Sequence, residues 1–354
     1  MAAETTAYAA AGVDIEAGDR AVELMKAAVA RSRRPEVLGG LGGFAGLFDA
    51  SALTRYRHPV LATSTDGVGT KVAIAQQLGV YDTIGFDLIG MLVDDLVVCG
   101  AEPLFVTDYI ACGKVYPERI AAIVGGIADA CVAAGAALLG GETAEHPGLL
   151  APEEFDIAGA TTGVVEADRL LGADRVRAGD VALALASSGL HSNGYSLVRH
   201  VLLRQAGWTL DRHVDDLGRT LGEELLEPTR VYAKPCLAVI DAVEVHAMSH
   251  ITGGGLANNL ARVVPEGIEV VLDRTTWRPQ PVFGLVQQVG GVSQADIEAT
   301  LNMGVGMVVL LPETEVDAAR EALAGHGVES WVAGRARASE GPGTVRLEGS
   351  HPAA

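Results

Sequence analysis

Three acidic positions in the first half of the chain are the residues best suited to hold a metal ion. Asp66 follows a short β-prone run, Asp94 is the first of two aspartates within a helical pattern, and Glu142 follows an apolar run. Magnesium binds hard oxygen ligands, commonly one or two carboxylates together with substrate phosphates and water. The pattern therefore indicates a Mg²⁺ site, although each of these residues alone is also typical of a turn or a helix surface.

Residues 65–71, with the sequence TDGVGTK, combine glycine, hydroxyl and lysine side chains at an expected helix start. Glycine lets a ligand approach the backbone closely, free N–H groups at a helix start attract anions, and lysine adds a formal positive charge. The segment lacks the G-x-x-x-x-G-K-[ST] spacing of a P-loop. It indicates a phosphate-binding loop, with a plain glycine turn as an equally weighted alternative.

A second glycine-rich segment, GGLGGF at residues 39–44, follows two consecutive arginines. Gly40, Gly42 and Ala45 match the relaxed G-x-G-x-x-A spacing of dinucleotide sites, but no strand is expected before them, which disfavours that function. The segment is typical of a loop that closes over phosphates, or of an ordinary flexible surface loop.

The second half contains a polar loop, SSGLHSNG at residues 187–194, between an apolar run and a helical pattern. Its amides and hydroxyls could face a ligand, and the absence of G-x-S-x-G disfavours a serine nucleophile. His246 and His250 have the spacing of a helical metal pair, but the glutamate of H-E-x-x-H is missing and the segment has a strand pattern. We therefore interpret His246 as structural, and expect His250, just before TGGG at residues 252–255, to contact a ligand.

The hydrophobic pattern of the first half alternates between strand and helix. It predicts strands near residues 60–65, 104–110, 136–139 and 155–165, and helices over residues 72–78, 82–99 and 117–134. The charged stretch at residues 166–180 then breaks this pattern before a new strand at residues 181–186, so we place a domain boundary there.

The second half continues in the same style. It predicts helices over residues 194–205, 229–242, 256–263 and 313–325, strands over residues 245–249 and 305–311, and one final strand in the tail. The sequence therefore predicts two α/β domains, residues 1–167 and residues 168–354.

Composition excludes several classes of function. The formal net charge of −19 disfavours a nucleic-acid-binding protein, which would carry a basic face. The four cysteines form no C-x-x-C pair, so neither a zinc site nor a redox pair is indicated, and a reduced cytosol fits. The acidic N-terminus lacks the features of a signal peptide, and no apolar run approaches the roughly 20 residues of a membrane span. We expect a cytoplasmic protein with a small-molecule substrate and no membrane partner.

In order and spacing, these motifs resemble the aminoimidazole ribonucleotide synthetases, a family within the ATP-using superfamily of selenophosphate synthetase and thiamine monophosphate kinase. The resemblance spans nearly the whole chain. It rests on RRPEV (33–37), GGLGGF (39–44), DGVGTK (66–71), DDL (94–96), GGETAE (140–145), GLHSNGYSL (189–197), TGGG (252–255) and NMGVGM (302–307).

The resemblance implies an ATP-dependent cyclo-ligase of purine biosynthesis, which converts formylglycinamidine ribonucleotide to aminoimidazole ribonucleotide with release of ADP and phosphate. It also implies Mg²⁺, and a cytoplasmic homodimer whose N-terminal domains contribute strands to a shared barrel. If ATP phosphorylates the formyl oxygen, the substrate's own nitrogen can close the ring and expel phosphate, so no protein nucleophile is needed.

The resemblance also implies roles for individual residues. The expected catalytic residues are Asp66, Lys71, His191 and His250, and the expected metal ligands are Asp66, Asp94 and Glu142. The expected nucleotide-binding residues are Gly42, Gly43, Thr65, Gly67, Gly69, Thr70, Lys71, Asp94, Gly141 and Glu142. The expected substrate-binding residues are Ser188, Gly189, His191, Ser192, Asn193, Thr252, Gly253 and Gly254.

Two alternatives stay open. Another ATP-using member of the superfamily is one, although selenophosphate synthetases usually place a reactive cysteine near the N-terminal glycine loop, and the first cysteine here is Cys99. A non-catalytic nucleotide-binding scaffold is the other, and the retained acidic residues disfavour it.

Overall fold

The computed structural model describes residues 15–40 and 43–352. Its strands are β1 (Val37–Leu38), β2 (Leu47–Phe48), β3 (Pro59–Gly67), β4 (Glu102–Cys112), β5 (Ala137–Glu145), β6 (Phe155–Glu166), β7 (Val181–Ala186), β8 (His213–Val214), β9 (Arg219–Thr220), β10 (Ala247–His250), β11 (Ile268–Asp273), β12 (Val305–Leu311), β13 (Ser330–Ala338) and β14 (Thr344–Glu348). Its helices are α1 (Ile15–Arg31), α2 (Val72–Leu78), α3 (Ile84–Val97), α4 (Pro117–Ala134), α5 (Tyr195–Val198), α6 (Leu221–Leu225), α7 (Ala233–Ala242), α8 (Gly255–Leu260), α9 (Pro281–Gly290), α10 (Gln294–Glu298) and α11 (Val316–Gly325).

The first half of the chain forms a four-stranded sheet in the order β3-β6-β4-β5. β6 pairs antiparallel with β3 and β4, whereas β4 and β5 are parallel and are joined through α4. Buried apolar residues alternate along β4, as expected for a sheet that packs helices on one face. Helices α3 and α4 cover that face, and α1 packs against α4.

The opposite face of this sheet is open within the described chain. Along β3 the side chains of Leu61, Thr63 and Thr65 are exposed, and Tyr109 of β4 is 42 % exposed. The two outer strands, β3 and β5, each have one edge that pairs with no other described strand. Within the described chain, one face of this sheet is therefore not covered by other elements and its two edges lack partner strands.

The second half forms a six-stranded sheet in the order β10-β12-β7-β13-β11-β14. Every pairing is antiparallel except that of β11 with β14. All seven residues of β12 are buried, because α7 and α11 pack on one face of the sheet and α8 lies against the other. The central strands therefore form a rigid support for the loops at their ends.

The two halves share buried apolar packing. One cluster includes Ile74 and Leu88 of the first half with Leu221 and Phe283 of the second. Residues 167–180 connect β6 to β7, and the boundary between residues 167 and 168 stays a prediction. Within the described residues, no helix is both long and apolar enough to cross a membrane.

Candidate functional site

A carboxylate and an imidazole meet where the two halves face each other. Asp95 lies on α3, and its Oδ1 is 2.9 Å from Nδ1 of His250 at the end of β10. The His250 side chain is only 2 % exposed, while that of Asp95 is 43 % exposed. Nε2 of His250 is buried without a hydrogen-bond partner among the described residues. Such an atom is costly unless a ligand reaches it.

Asp66, at the end of β3, belongs to the same electrostatic environment. Burial raises the pKa of Asp66 and the charge of Asp95 adds to the increase, whereas the Gly67 N–H and His250 lower it. Burial by itself lowers the pKa of His250, but the hydrogen bond to Asp95 and the charges of Asp94, Asp95 and Asp66 outweigh it and raise the pKa. The charges of Asp66 and His250 therefore shift each other's pKa at this junction.

Asp94 is held inside the protein in this structure, and its expected role as a metal ligand stays a prediction. Its side chain is fully buried and accepts the backbone N–H of Tyr232, at 2.9 and 3.1 Å, just before α7. Burial raises the pKa of Asp94 to about 7. Successive residues of a helix point about 100° apart, so Asp94 faces the core of the second half and its neighbour Asp95 faces solvent.

Glu142 also does not join Asp66 within one chain. The ladder pairs Asp66 with Gly159, Gly159 with Asp108, and Asp108 with Gly141, so three strand spacings separate the two carboxylate-bearing strands. At about 4.8 Å per strand this is about 14 Å. No group of three potential metal-binding side chains occurs among the described residues, so one chain does not bring the three carboxylates together and their metal role stays a prediction.

Lys71 is buried between the two halves of the chain. Its side chain is fully buried, and its Nζ donates to Asp87 Oδ1 at 2.7 Å, to the His191 carbonyl at 2.9 Å and to the Glu227 carbonyl at 2.6 Å. Burial lowers the pKa of Lys71 even beside Asp87. An ammonium group with three protein acceptors has no free donor in this arrangement, so Lys71 is engaged within the protein and its expected contact with phosphate stays a prediction.

The exposed part of the predicted phosphate loop is shorter than expected. Gly69 has φ 72° and is exposed, as is Thr70, whose Oγ1 lies 3.4 Å from Ser196 Oγ. The Gly67 N–H is 2.7 Å from the Asp66 carboxylate. The structure therefore leaves Thr65, Gly69 and Thr70 accessible and engages the Gly67 amide locally.

His191 lies at the centre of the second-half loop in an uncommon backbone conformation. Its φ is 62°, its side chain is buried, and its Nε2 accepts the Ser188 N–H at 3.2 Å. A neutral ring that accepts at Nε2 carries its proton at Nδ1, and Nδ1 has no partner among the described residues. Burial, followed by the charges of His250 and Lys71, lowers the pKa of His191 well below its ordinary value. His191 is therefore a neutral donor.

Gly306 explains how the His191 ring fits. A methyl group at Gly306 would lie 2.7 Å from Cε1 of His191 and 2.0 Å from the Tyr232 hydroxyl oxygen. Only a residue without a side chain leaves room for both rings.

The other expected substrate residues divide into supporting and accessible groups. Ser188 donates to the Pro228 carbonyl at 2.6 Å, and the Gly189 carbonyl accepts from Ser187 and Asn302, so these two residues support the loop. Ser192 is buried. Asn193 donates to Met91 Sδ at 3.2 Å, and its Oδ1 is 3.3 Å from an ideal Cβ position at Gly253. The Thr252 N–H donates to Asn259, and Gly254 has φ 101° before α8.

A separate cavity of about 290 Å³ lies beneath α1, beside β5. Its lining includes Gly43, Gly141 and Glu142, which were predicted to bind nucleotide, and also Asp108, which sequence reasoning missed. Gly42 lies outside the described residues. The expected nucleotide residues thus separate into this cavity and the loop at residues 65–70.

The similarities to known proteins are extensive. Residues 48–165 match the N-terminal domain of AIR synthase related proteins, and residues 177–345 match the C-terminal domain. Similar chains named phosphoribosylformylglycinamidine cyclo-ligase occur in Shouchella clausii, with 50% identity over 95% of this chain and 97% of the relative, and in Anaeromyxobacter sp., with 50% identity over 96% and 98%.

Solved structures of lower identity share the fold. Thiamine-monophosphate kinase from Stenotrophomonas maltophilia has a TM-score of 0.67 and 19% identity, covering 93% of this chain and 96% of that chain. HypE from E. coli has a TM-score of 0.65 and 19% identity, covering 94% of each chain. These similarities confirm the expected mixed α/β class with two domains of this type.

Proposed function

The chain belongs to the phosphoribosylformylglycinamidine cyclo-ligase family of purine biosynthesis, and we propose that its catalytic centre is the junction of Asp66, Asp95, His191 and His250. The reaction is the ATP-dependent closure of formylglycinamidine ribonucleotide to aminoimidazole ribonucleotide. The observation that supports this location most directly is the pair of buried ring nitrogens, Nδ1 of His191 and Nε2 of His250, that have no described partner.

Phosphoryl transfer from ATP to the formyl oxygen makes that oxygen a good leaving group. The amidine nitrogen of the same substrate then attacks the formyl carbon, and the oxygen departs with phosphate. Because nucleophile and electrophile are parts of one molecule, proximity supplies a large share of the rate. The protein has to position the substrate, stabilise charge on the phosphoryl group and move protons.

The two histidines suit different parts of this task. His191, neutral with its proton on Nδ1, donates a hydrogen bond to a substrate oxygen. His250, held through Nδ1 by Asp95, presents Nε2 for proton exchange during ring closure. A pair of titratable groups whose pKa values are shifted in opposite directions is a common basis for separate acid and base roles.

Magnesium is part of the proposal, with Asp66 and Glu142 as the more accessible candidate ligands and Asp94 as a buried one. Asp66 accepts one N–H, from Gly67, which leaves carboxylate lone pairs for a hard cation. The metal would neutralise charge on the ATP phosphates. Thr65, Gly69 and Thr70 remain candidates for contact with the phosphates, and Asn193 with residues 252–254 for contact with the substrate.

A homodimer with a shared barrel would complete the first sheet. Supporting this are the open face with exposed Leu61 and Tyr109 and the two unpaired edges. Pairing β3 of one protomer with β5 of its partner would bring the strand of Asp66 beside the partner's strand of Glu142. Multi-angle light scattering should give twice the monomer mass, and a monomeric active enzyme would rule out the barrel.

We also propose a cytoplasmic location, because none of the four cysteines forms a disulfide.

A coupled assay tests the proposed reaction. Purified protein, Mg²⁺ and ATP should release ADP only when formylglycinamidine ribonucleotide is added, with one aminoimidazole product, detected by its colour reaction, per ADP. A His250→Ala variant serves as the matched control for contaminating ATPase. ADP release that does not depend on the substrate, or release without the aminoimidazole, would contradict the proposal.

A further inference from the structure

A cleft of about 560 Å³ lies between the end of α2 and the segment at residues 199–211. Its apolar wall includes Leu78, Leu203 and Trp208, and the side chains of Arg199 and Arg204 lie on the same lining. None of the four residues of the proposed catalytic centre lines this cleft. The volume is within the range of pockets that hold small organic ligands. The cleft is therefore large enough for a ligand of its own.

The two arginines of the cleft have no acidic partner among the described residues. Neither guanidinium forms a hydrogen bond or an ion pair with a described residue, and Nε of Arg199 is buried. A buried donor without an acceptor is unfavourable. Among the described residues of the lining, only Asp211 carries a carboxylate, and Asp211 is exposed. Positive charge therefore predominates in the cleft, and the lining favours an anion.

The backbone explains why the two arginines share this lining. They are five positions apart in the π-helical segment Arg199–Gln205. In an α-helix, residues five positions apart differ in direction by about 140°, whereas the wider i→i+5 turn of a π-helix brings them closer to one face. Turns of this kind occur frequently at functional sites. The segment therefore presents both guanidinium groups to the cleft.

Trp208 gives the cleft a flat apolar surface. Its side chain is partly buried, and the Arg212 guanidinium lies 4.1 Å from the centroid of its ring. This cation–π contact restrains the orientation of the indole. A flat ring can pack favourably against a restrained indole. The lining therefore suits a ligand that combines a flat apolar ring with a negative charge.

We propose that this cleft binds a small phosphate monoester with a flat, largely apolar ring, with the phosphate on Arg199 and Arg204 and the ring against Trp208. A phosphate monoester carries about 1.5 to 2 negative charges at neutral pH, which matches two guanidinium groups. Its oxygens also fit the paired N–H donors of arginine. The site goes beyond the proposed function, because none of its residues belongs to the proposed catalytic centre.

Calorimetric titration with phenyl phosphate, in the presence of ADP and Mg²⁺, tests this assignment. Wild-type protein should bind one equivalent per chain, more tightly than it binds inorganic phosphate. Arg199→Gln and Arg204→Gln should each weaken binding of phenyl phosphate at least about tenfold. Trp208→Ala should remove the preference over inorganic phosphate. Because neither guanidinium has a described partner, both arginine variants should keep the wild-type Tm.

The matched control is Arg320→Gln, which removes an exposed arginine from α11 and should bind phenyl phosphate as the wild-type protein does. His191→Asn should do the same, because His191 does not line the cleft. A wild-type protein that does not bind phenyl phosphate would overturn the proposal, as would unchanged binding in both arginine variants. A preference over inorganic phosphate that persists in Trp208→Ala would overturn the ring contact. Loss of binding in His191→Asn would place the phosphate at the catalytic centre and overturn the proposal as well.

Discussion

Helix α3 carries two carboxylates that contact basic side chains, and the two pairs have opposite properties. Asp87 meets Lys71 in full burial, and every Nζ proton of Lys71 has a protein acceptor. Asp95 meets His250 at a partly exposed position, and Nε2 of His250 has no described partner. Lys71 of the first pair also donates to two carbonyls of the second half, those of His191 and Glu227, whereas the second pair leaves one imidazole nitrogen unpaired among the described residues. The difference lies in the basic partner: the Lys71 ammonium is fully paired, whereas the His250 ring keeps one nitrogen without a described partner.

Disruption of the Lys71–Asp87 pair should have the largest effect, a loss of folding stability. Lys71→Met leaves the Asp87 carboxylate buried with only Thr229 as a donor, so the free energy of unfolding should fall by about 3–5 kcal/mol. Urea denaturation measures this at unchanged m-value. Adding Asp87→Asn should restore most of the loss, because the uncompensated charge is removed. If Lys71→Met were as stable as the wild-type protein, Lys71 would not stabilise the junction.

Asp66→Asn should have the largest effect on catalysis. Removing a metal ligand should lower turnover by about 10²–10³-fold and raise the Mg²⁺ concentration needed for ADP release. The free energy of unfolding should change by less than about 1 kcal/mol, unlike that of Lys71→Met. Steady-state ADP release with unchanged Mg²⁺ dependence would remove Asp66 from the metal site.

His191→Asn should give a smaller kinetic effect. Asparagine tolerates the left-handed backbone of position 191, so the loop should keep its shape while the Nδ1 donor is lost. We expect substrate KM to rise or kcat to fall by roughly 10- to 100-fold, with the calorimetric Kd for ATP unchanged. Wild-type kinetics for substrate would place His191 outside the site, and weaker ATP binding would indicate a different role.

The smallest expected effect is a shift in pH dependence. Asp95 raises the pKa of His250, so Asp95→Asn should lower that pKa and move the corresponding limb of the kcat/KM profile to lower pH. In wild type, the stability due to His250 protonation is complete below its unfolded-state pKa and is lost as pH rises through the raised folded-state pKa. The variant should lose less stability over that interval. A limb of the kcat/KM profile that stays in place or moves to higher pH contradicts the assigned effect of Asp95 on His250. Asp129→Asn, on the exposed face of α4, serves as the control.

Elements with local start and stop signals were predicted correctly. Helix Pro117–Ala134 has proline at its first position and Gly135 at φ 81° beyond its end, and strands Val181–Ala186 and Val305–Leu311 are short buried apolar runs. Proline and glycine act through the backbone of their own neighbourhood. Such boundaries can therefore be determined without knowledge of the partner elements.

Elements that depend on packing were predicted less well. The expected helix at residues 194–205 is one turn of α5 followed by the π-helical segment Arg199–Gln205. The tail after residue 332, expected to form one strand, contributes to two, and β14 pairs in parallel with β11. Hydrophobic periodicity does not distinguish an α-helix from a π-helical segment, and it does not identify the partner of an edge strand.

The sequence alone determined the fold class, the family and the catalytic chemistry, because glycine-rich loops, acidic residues and their order along the chain are properties of the chain itself. The tertiary structure decided which members of these motifs are buried within the protein and which are accessible. Asp94 and Asp95 differ only in their direction from α3, and Lys71 became a buried contact because Asp87 and two carbonyls surround it. Asp108 has no distinguishing motif at all. Burial and the pairing of polar atoms depend on which elements meet in space, and those contacts separate structural residues from residues available for chemistry.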